Sequence, residues 1–415
     1  VNPETPSSKF QQAHYQQTLD TLNAEGRLRR CRTIVPMAAN GSSPEPNNSN
    51  ASAMQVSVDG QAAINFSSND YLGLASDERL KAASIAAIQQ YGTGSSASRL
   101  ISGTGPLVLE LEQELARFKQ AEAALVLNSG YQANVGILQA ILQPGDWVFC
   151  DRLNHASLVD GCQLSGARWT RYHHLNLENL EVRLKKAPSQ ARKWIVTDTA
   201  FSMDGDYPDL VTLAEIAERH NALIMVDEAH ATGLYGAQRS SGLCEQFGVS
   251  HRIALQMGTF SKALGGSGAY VAGSKVMIDT LINHARGFIY STALPPAVIA
   301  SALAAVRLVQ HDPEPRRRLW DNVTRFEQAA RPAGLTERLS LPLKSPIVPI
   351  LVGDSAKTVQ VSQALLDAGY FVQGIRPPTV PPGTARLRIA LSAAHSAAQI
   401  EGLVAALSRT LNAPE

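Results

Sequence analysis

KWIVTDTAFSMDGDYPDLVTLAEIAERHNALIMVDEAH, residues 193 to 230, places two short apolar runs on either side of a helical period. KWIVTD (193 to 198) and ALIMVD (222 to 227) are strand-length, apolar and bounded by polar residues, as strands buried on both faces are. Between them LVTLAEIAERH (210 to 220) repeats apolar residues at helical spacing. The same alternation extends outward. AALVLN (123 to 128), WVFC (147 to 150), IALQMG (253 to 258) and GAYVAG (268 to 273) read as strands. The segment from Pro106, with Leu107, Leu111, Leu115 and Phe118 on one face, and SGYQANVGILQAIL (129 to 142) read as helices. The prediction is an α/β fold with a mostly parallel central sheet flanked by helices.

Beyond about residue 300 the pattern changes. SALAAVRLVQHD and LWDNVTRFEQAARPAG read as helices; IVPILVG, GYFVQGI and RLRIAL read as short strands, with PPTVPPG (377 to 383) a proline-stiffened loop. A smaller α+β domain over 301 to 415 follows, after a large α/β domain over 59 to 300. Residues 1 to 58 make an N-terminal helical arm (helix over 8 to 30) and a flexible loop, since 37 to 53, MAANGSSPEPNNSNASA, has almost nothing to bury.

The bulk numbers exclude several classes. The 415 residues carry 37 Lys+Arg against 36 Asp+Glu, so no field of one sign points to nucleic acid; the cluster Arg27, Arg29, Arg30, Arg32 lacks interleaved aromatics. Four scattered cysteines without a CxxC pair fit a reducing, cytoplasmic compartment. No apolar stretch is long enough to span a membrane, and the polar opening VNPETPSSKF leads to no expectation of a secretory signal.

Four segments bear chemistry. TFSKALGG (259 to 266) sets Lys262 in a small, Gly-rich, uncharged surround, where desolvation favours the neutral amine that forms a Schiff base; the alternative is a surface lysine in a turn. LIMVDEAHATG puts Asp227, Glu228 and His230 at the end of an apolar strand, where ligands of open α/β sheets bind. A carboxylate there holds a pyridine nitrogen protonated. A helicase acidic box would need an upstream GxxxxGK[ST] loop, and a metal site would need a third ligand; neither is present nearby. LNSGYQAN hands a strand to a helix at Ser129-Gly130-Tyr131, an anion site or an ordinary junction. DRLNHASL (151 to 158) places His155 in a polar turn after a strand, over a planar cofactor or simply at the surface.

Together, NFSSNDYLGL (65 to 74), ASRLISGT (97 to 104), NSGYQAN (128 to 134), DRLNHASL, FSMDGD (201 to 206), VDEAH, TFSKALGG and IYSTALPP (289 to 296) resemble the α-oxoamine synthases, a branch of the fold-type-I pyridoxal 5'-phosphate (PLP) enzymes. IRPPTVPPGTARLRIALSAAH (375 to 395) is most similar to the biotin-biosynthesis branch. The resemblance implies a homodimeric acyltransferase that condenses L-alanine with pimeloyl-CoA or a pimeloyl carrier protein, releasing CO2 and thiol. Sister branches use glycine or serine with other acyl-CoAs; an aminotransferase, a lyase or an inactive scaffold would share the fold.

By position, the resemblance implies Lys262 as the Schiff-base lysine and α-proton base, Asp227 as partner of the pyridine nitrogen and His155 as the stacking ring. His230 and Ser202 fall at the cofactor 3'-oxygen, and Gly130, Tyr131 and Thr259 at its phosphate. Ser291 and Thr292 match the segment that reaches a phosphate across the dimer interface. Asn69 would line the substrate pocket, and Arg388, with Arg386 as rival, would bind the amino-acid carboxylate. Arg29 would face the acyl substrate. The chain departs from the family pattern at Ala97, where glycine is usual, and at Thr199 and Ala200, where Gly and Val are usual.

Overall fold

The structure, a computed structural model, describes residues 6–38 and 51–412. A seven-stranded sheet forms its centre. Across the sheet the strands run Ala123–Leu127, Ala269–Gly273, Leu255–Thr259, Ala222–Asp227, Lys193–Asp198, Trp147–Asp151 and Arg168–Tyr172. All neighbours pair in parallel except Ala269–Gly273, which is antiparallel to both of its own. Successive side chains enter opposite faces, and each face is packed. Phe149, Ile195, Ile224 and Val226 join one core, whereas Val148, Trp194, Val196 and Met225 join the other. This double burial explains why KWIVTD and ALIMVD lack polar alternation.

The helices expected from Pro106 and after Ser129 span Pro106–Lys119 and Gly130–Ile141. The crossover helix Leu210–Arg219 starts on Asp209, whose carboxylate accepts from the N–H groups of Val211 and Thr212. Helices Pro296–His311, Glu314–Ala330 and Ala397–Leu411 and the sheet Ile347–Gly353, Ala385–Ala390, Gln373–Ile375 make up most of the C-terminal part.

Several elements differ from expectation. The N-terminal helix spans Pro6–Ala24 and does not reach residue 30, because Gly26 turns the chain at φ +64°. The 37 to 53 linker falls mostly outside the described residues, but its flanks are strands: Ile34–Ala38 pairs antiparallel with Ala51–Val58, which continues into Gln61–Asn65. GYFVQGI is two strands, since Tyr370–Phe371 adds to Gln61–Asn65 and Gln373–Ile375 adds to Ala385–Ala390. The edge strand Arg168–Tyr172 escaped notice because its partly exposed RWTRY carries charges where buried strands carry aliphatics. Among the described residues no helix is long and apolar enough to cross a membrane.

Candidate active site

Four parallel strands end in Asp151, Asp198, Asp227 and Thr259, so the carboxyl edge of the sheet is lined with polar groups. Lys262 lies three residues beyond Thr259, in a turn closed by the Gly265 N–H donating to the Lys262 carbonyl. Gly265 sits at φ +64°, and a Cβ there would come within 2.5 Å of the Ala75 nitrogen. Only glycine lets this turn press against the segment that follows NDYLGL.

Burial lowers the Lys262 pKa, with the Arg388 charge adding to it against the pull of Asp227 and Asp198. Among the described residues its amine has no hydrogen-bond partner. An amine kept towards neutrality and left unbonded is ready for a carbonyl electrophile.

Asp227 is fixed from two sides. Its Oδ2 accepts from Asn134 Nδ2 at 2.8 Å and its Oδ1 from the Ala229 N–H at 2.8 Å. Asn134 also donates to Ser157 Oγ (2.9 Å), and Ser157 Oγ lies 2.7 Å from His155 Nδ1. The Ser157 N–H donates to the same Nδ1, which places the proton of a neutral imidazole on Nε2. Burial holds the His155 pKa below its usual value, partly opposed by Asp227. His155 is further pinned through its own N–H to Asp198 Oδ2.

On the opposite side, Tyr71 is a fully buried hub. Its hydroxyl lies 2.8 Å from His230 Nδ1 and 3.1 Å from Asn69 Oδ1, and accepts from Arg388 Nη2 at 3.2 Å. Burial, then the charges of Lys262 and Arg388, push the His230 pKa far down, so this ring is neutral. Arg388 Nε donates to the Ser202 carbonyl. Although nearly fully buried, Arg388 pairs with no carboxylate among the described residues, so its charge awaits an anion. Arg386, two residues away on the same face of the strand, is already neutralised by Asp204.

The residues present fit PLP. Thr259 Oγ1 is buried without a hydrogen-bond partner, beside a helix start where Gly130 and Tyr131 carry N–H groups with no intrahelical acceptor. A Cβ on Gly130 would lie 2.8 Å from Thr259 Cγ2, so glycine keeps that corner open for a phosphate. The Tyr131 side chain turns away to Asp160. Ser291 and Thr292 sit against Gln132 and Asn128, which flank the same helix start. Arg29 stands apart, bonded to Thr379 in a cleft of ≈ 990 Å³ that also carries Arg27, Arg30, Arg32 and Arg376.

Sequence reasoning missed Tyr71, Asn134 and Lys119. Tyr71 and Asn134 were inside quoted motifs, but Asn134 reaches Asp227, 93 positions away, and Tyr71 reaches His230 and Arg388, 159 and 317 positions away. Lys119 is wholly buried and pairs with Glu228 while donating to the Ser241 carbonyl, which anchors the turn after Asp227.

A doubly packed parallel sheet with a desolvated lysine, a strand-end aspartate and an orphaned hydroxyl at one helix start defines a fold-type-I PLP-dependent transferase. The chain belongs to the aminotransferase class I and II family, which it matches over residues 61–407. Within that class it is closely related to the 8-amino-7-oxononanoate synthases. It is 48% identical to the enzyme of that name from Geobacter sulfurreducens over 394 residues, 94% of this chain and 96% of the relative. The 8-amino-7-oxononanoate synthase structure from Francisella tularensis matches with TM-score 0.72 at 29% identity, covering 84% of this chain and 98% of the other. A serine palmitoyltransferase holding PLP as internal aldimine matches with TM-score 0.86 at 30% identity, covering 98% of both chains.

Proposed function

We propose that this chain condenses L-alanine with a pimeloyl thioester, on CoA or a carrier protein, to give 8-amino-7-oxononanoate, CO2 and free thiol. The shape match favours a serine-using relative, whereas the sequence match favours the alanine-using one. Substrate choice lives in side chains, so the 48% identity outweighs the backbone likeness. The single observation that carries the reading is the buried Arg388, without a carboxylate partner among the described residues, in the same site as the desolvated Lys262.

PLP, when bound, supplies an electrophilic carbon for the amino group and a ring that takes up the electron pair of the α-carbon. Thr259 and the Gly130–Tyr131 N–H groups would hold its phosphate. Asp227, immobilised by Asn134, keeps the proton on the pyridine nitrogen. His155 would stack on the ring, and His230 and Ser202 would meet its 3'-oxygen. Arg388 binds the amino-acid carboxylate beside Asn69, with the Tyr71 hydroxyl and the Ser202 carbonyl fixing its plane. The Lys262 amine would take the α-proton. His155 Nε2–H donates to the acyl carbonyl as the thiol leaves, and Lys262 returns a proton to the α-carbon after CO2 departs. Arg29 and its partner Thr379 face the acyl chain from the arm cleft.

In this reading, residues 59 to 300 hold the cofactor and 301 to 415 supply Arg388. Two copies pair, so that Ser291 and Thr292 meet the partner's phosphate. The exposed Leu100, Ile101 and Tyr290 support this. They sit in two segments joined at Ser98 and Thr292, so exposed apolar side chains flank the segment that would meet a second copy.

The test is thiol release from pimeloyl-CoA by PLP-loaded protein with L-alanine, glycine and L-serine. Release with alanine alone is expected. Release mainly with glycine or serine overturns the substrate assignment, and silence with thioesters of every length and carrier overturns the condensing mechanism.

A further inference from the structure

His174 lies outside every motif discussed so far. Its Nδ1 is 2.9 Å from Asp151 Oδ1, its Nε2 is 3.1 Å from Asp206 Oδ2, and its ring meets Phe201 edge-on at 4.4 Å. Asp151 ends the strand that leads into the His155 turn and also accepts from the Leu153 and Leu175 N–H groups at 2.8 Å. Asp206 closes the loop 201–206: the Phe201 N–H donates to the Asp206 carbonyl and the Gly205 N–H to the Phe201 carbonyl. Among the described residues Asp206 Oδ1 is buried without a hydrogen-bond partner, and His174 is what compensates that carboxylate.

The loop so held carries the Ser202 carbonyl, one of two groups that orient Arg388; Tyr71 is the other. We infer that His174 is a positioning residue for amino-acid recognition, a cationic strut between Asp151 and Asp206 that fixes the 201–206 loop and, through the Ser202 carbonyl, the plane of Arg388. This rests on Arg388 as the carboxylate site. Two carboxylates keep the ring doubly protonated, pushing its pKa up to about 10 against the opposing effect of burial. Without that cation the half-buried Asp206 turns to solvent; the loop is then held through Arg386 on Asp204 and the Met203 carbonyl, and the Ser202 carbonyl loses its fixed place against Arg388.

The experiment compares PLP-loaded wild type with His174→Gln, His174→Phe and Asp206→Asn. Steady-state rates yield kcat and separate KM values for amino acid and thioester. Titration of the amino acid alone, followed by cofactor absorbance, reads binding without any thioester. The KM and Kd for the amino acid should rise about tenfold or more in His174→Phe, since small misplacements of a clamp are costly. His174→Gln, which keeps one donor, should fall between, and thioester KM should stay within about twofold because only one substrate uses the clamp. An unchanged amino-acid Kd in a folded variant, or an equal rise in both KM values, overturns the proposal. Asp206→Asn is isosteric and decides the matter if the histidine variants fail to fold. A wild type inactive with every thioester would sink the condensing reading, while the absorbance titration would still decide the role of His174.

Discussion

Asp198 stands directly opposite Asp227 across two parallel strands, which brings two carboxyls together at the buried end of the sheet. Burial, and then the neighbouring Asp227 charge, push the Asp198 pKa well up. Asp198 is therefore pushed towards its neutral form while it accepts the His155 N–H, whereas Asp227 accepts from Asn134 and the Ala229 N–H. Asp198→Asn should keep kcat/KM within about tenfold, whereas Asp227→Asn should lose about 10²-fold or more together with α-proton exchange. Deuterium exchange at the amino-acid α-carbon checks both; equal losses would contradict the division of labour.

Lys262 is expected to carry the cofactor covalently. Borohydride reduction followed by peptide mapping should label the TFSKALGG peptide, and Lys262→Ala should give neither label nor turnover. A label on another lysine would refute the assignment.

Arg388 and Arg386 differ by whether an anion already occupies them. Arg388→Lys should raise the amino-acid KM about 10- to 100-fold, since a lysine cannot reproduce the planar two-point grip. Arg386→Lys, which keeps a charge opposite Asp204 in the 201–206 loop, should raise that KM far less than Arg388→Lys and cost about 1–2 kcal/mol of stability through the weakened contact. Kinetics beside thermal melts separate the two.

Thr259→Val should act with opposite signs on two properties. Removing a buried hydroxyl that lacks a partner leaves the cofactor-free protein as stable or more so. If Thr259 holds the phosphate as proposed, the change should weaken PLP binding about tenfold. A fall in cofactor-free melting temperature, or unchanged PLP affinity, would be the wrong sign.

His174 has a folded-state pKa of about 10, raised above its ordinary 6.5. The folded protein thus binds the proton more tightly than the unfolded chain. Its stabilisation is full below pH 6.5, fades as pH rises and is gone above pH 10. Because the side chain is partly exposed, solvent screening reduces the size of the effect. Melting temperature should fall more steeply between pH 7 and 10 for wild type than for His174→Gln; parallel curves would count against the bridge.

Much of the site was legible because its parts lie in contiguous motifs. TFSKALGG, VDEAH and DRLNHASL each occupy one strand end and the turn after it, so local order predicts their meeting at one sheet edge. The same locality hid Tyr71, whose role depends on Arg388, 317 positions away, and His174, whose RYHHLN surround resembles any polar turn. The linker reading of 37 to 53 failed at its flanks because strand pairing draws on a partner that composition does not reveal.

Apolar runs of strand length around a helical period were enough, by themselves, to determine a doubly covered α/β sheet, because burial on two faces forbids polar alternation. They also determined that a lysine and an aspartate emerge at strand ends. Which arginine is free for a substrate was decided only in three dimensions. Arg386 and Arg388 are equivalent in a strand's two-residue period, and the distinction arises where Asp204, brought in from the 201–206 loop, neutralises one and leaves the other buried without a carboxylate among the described residues.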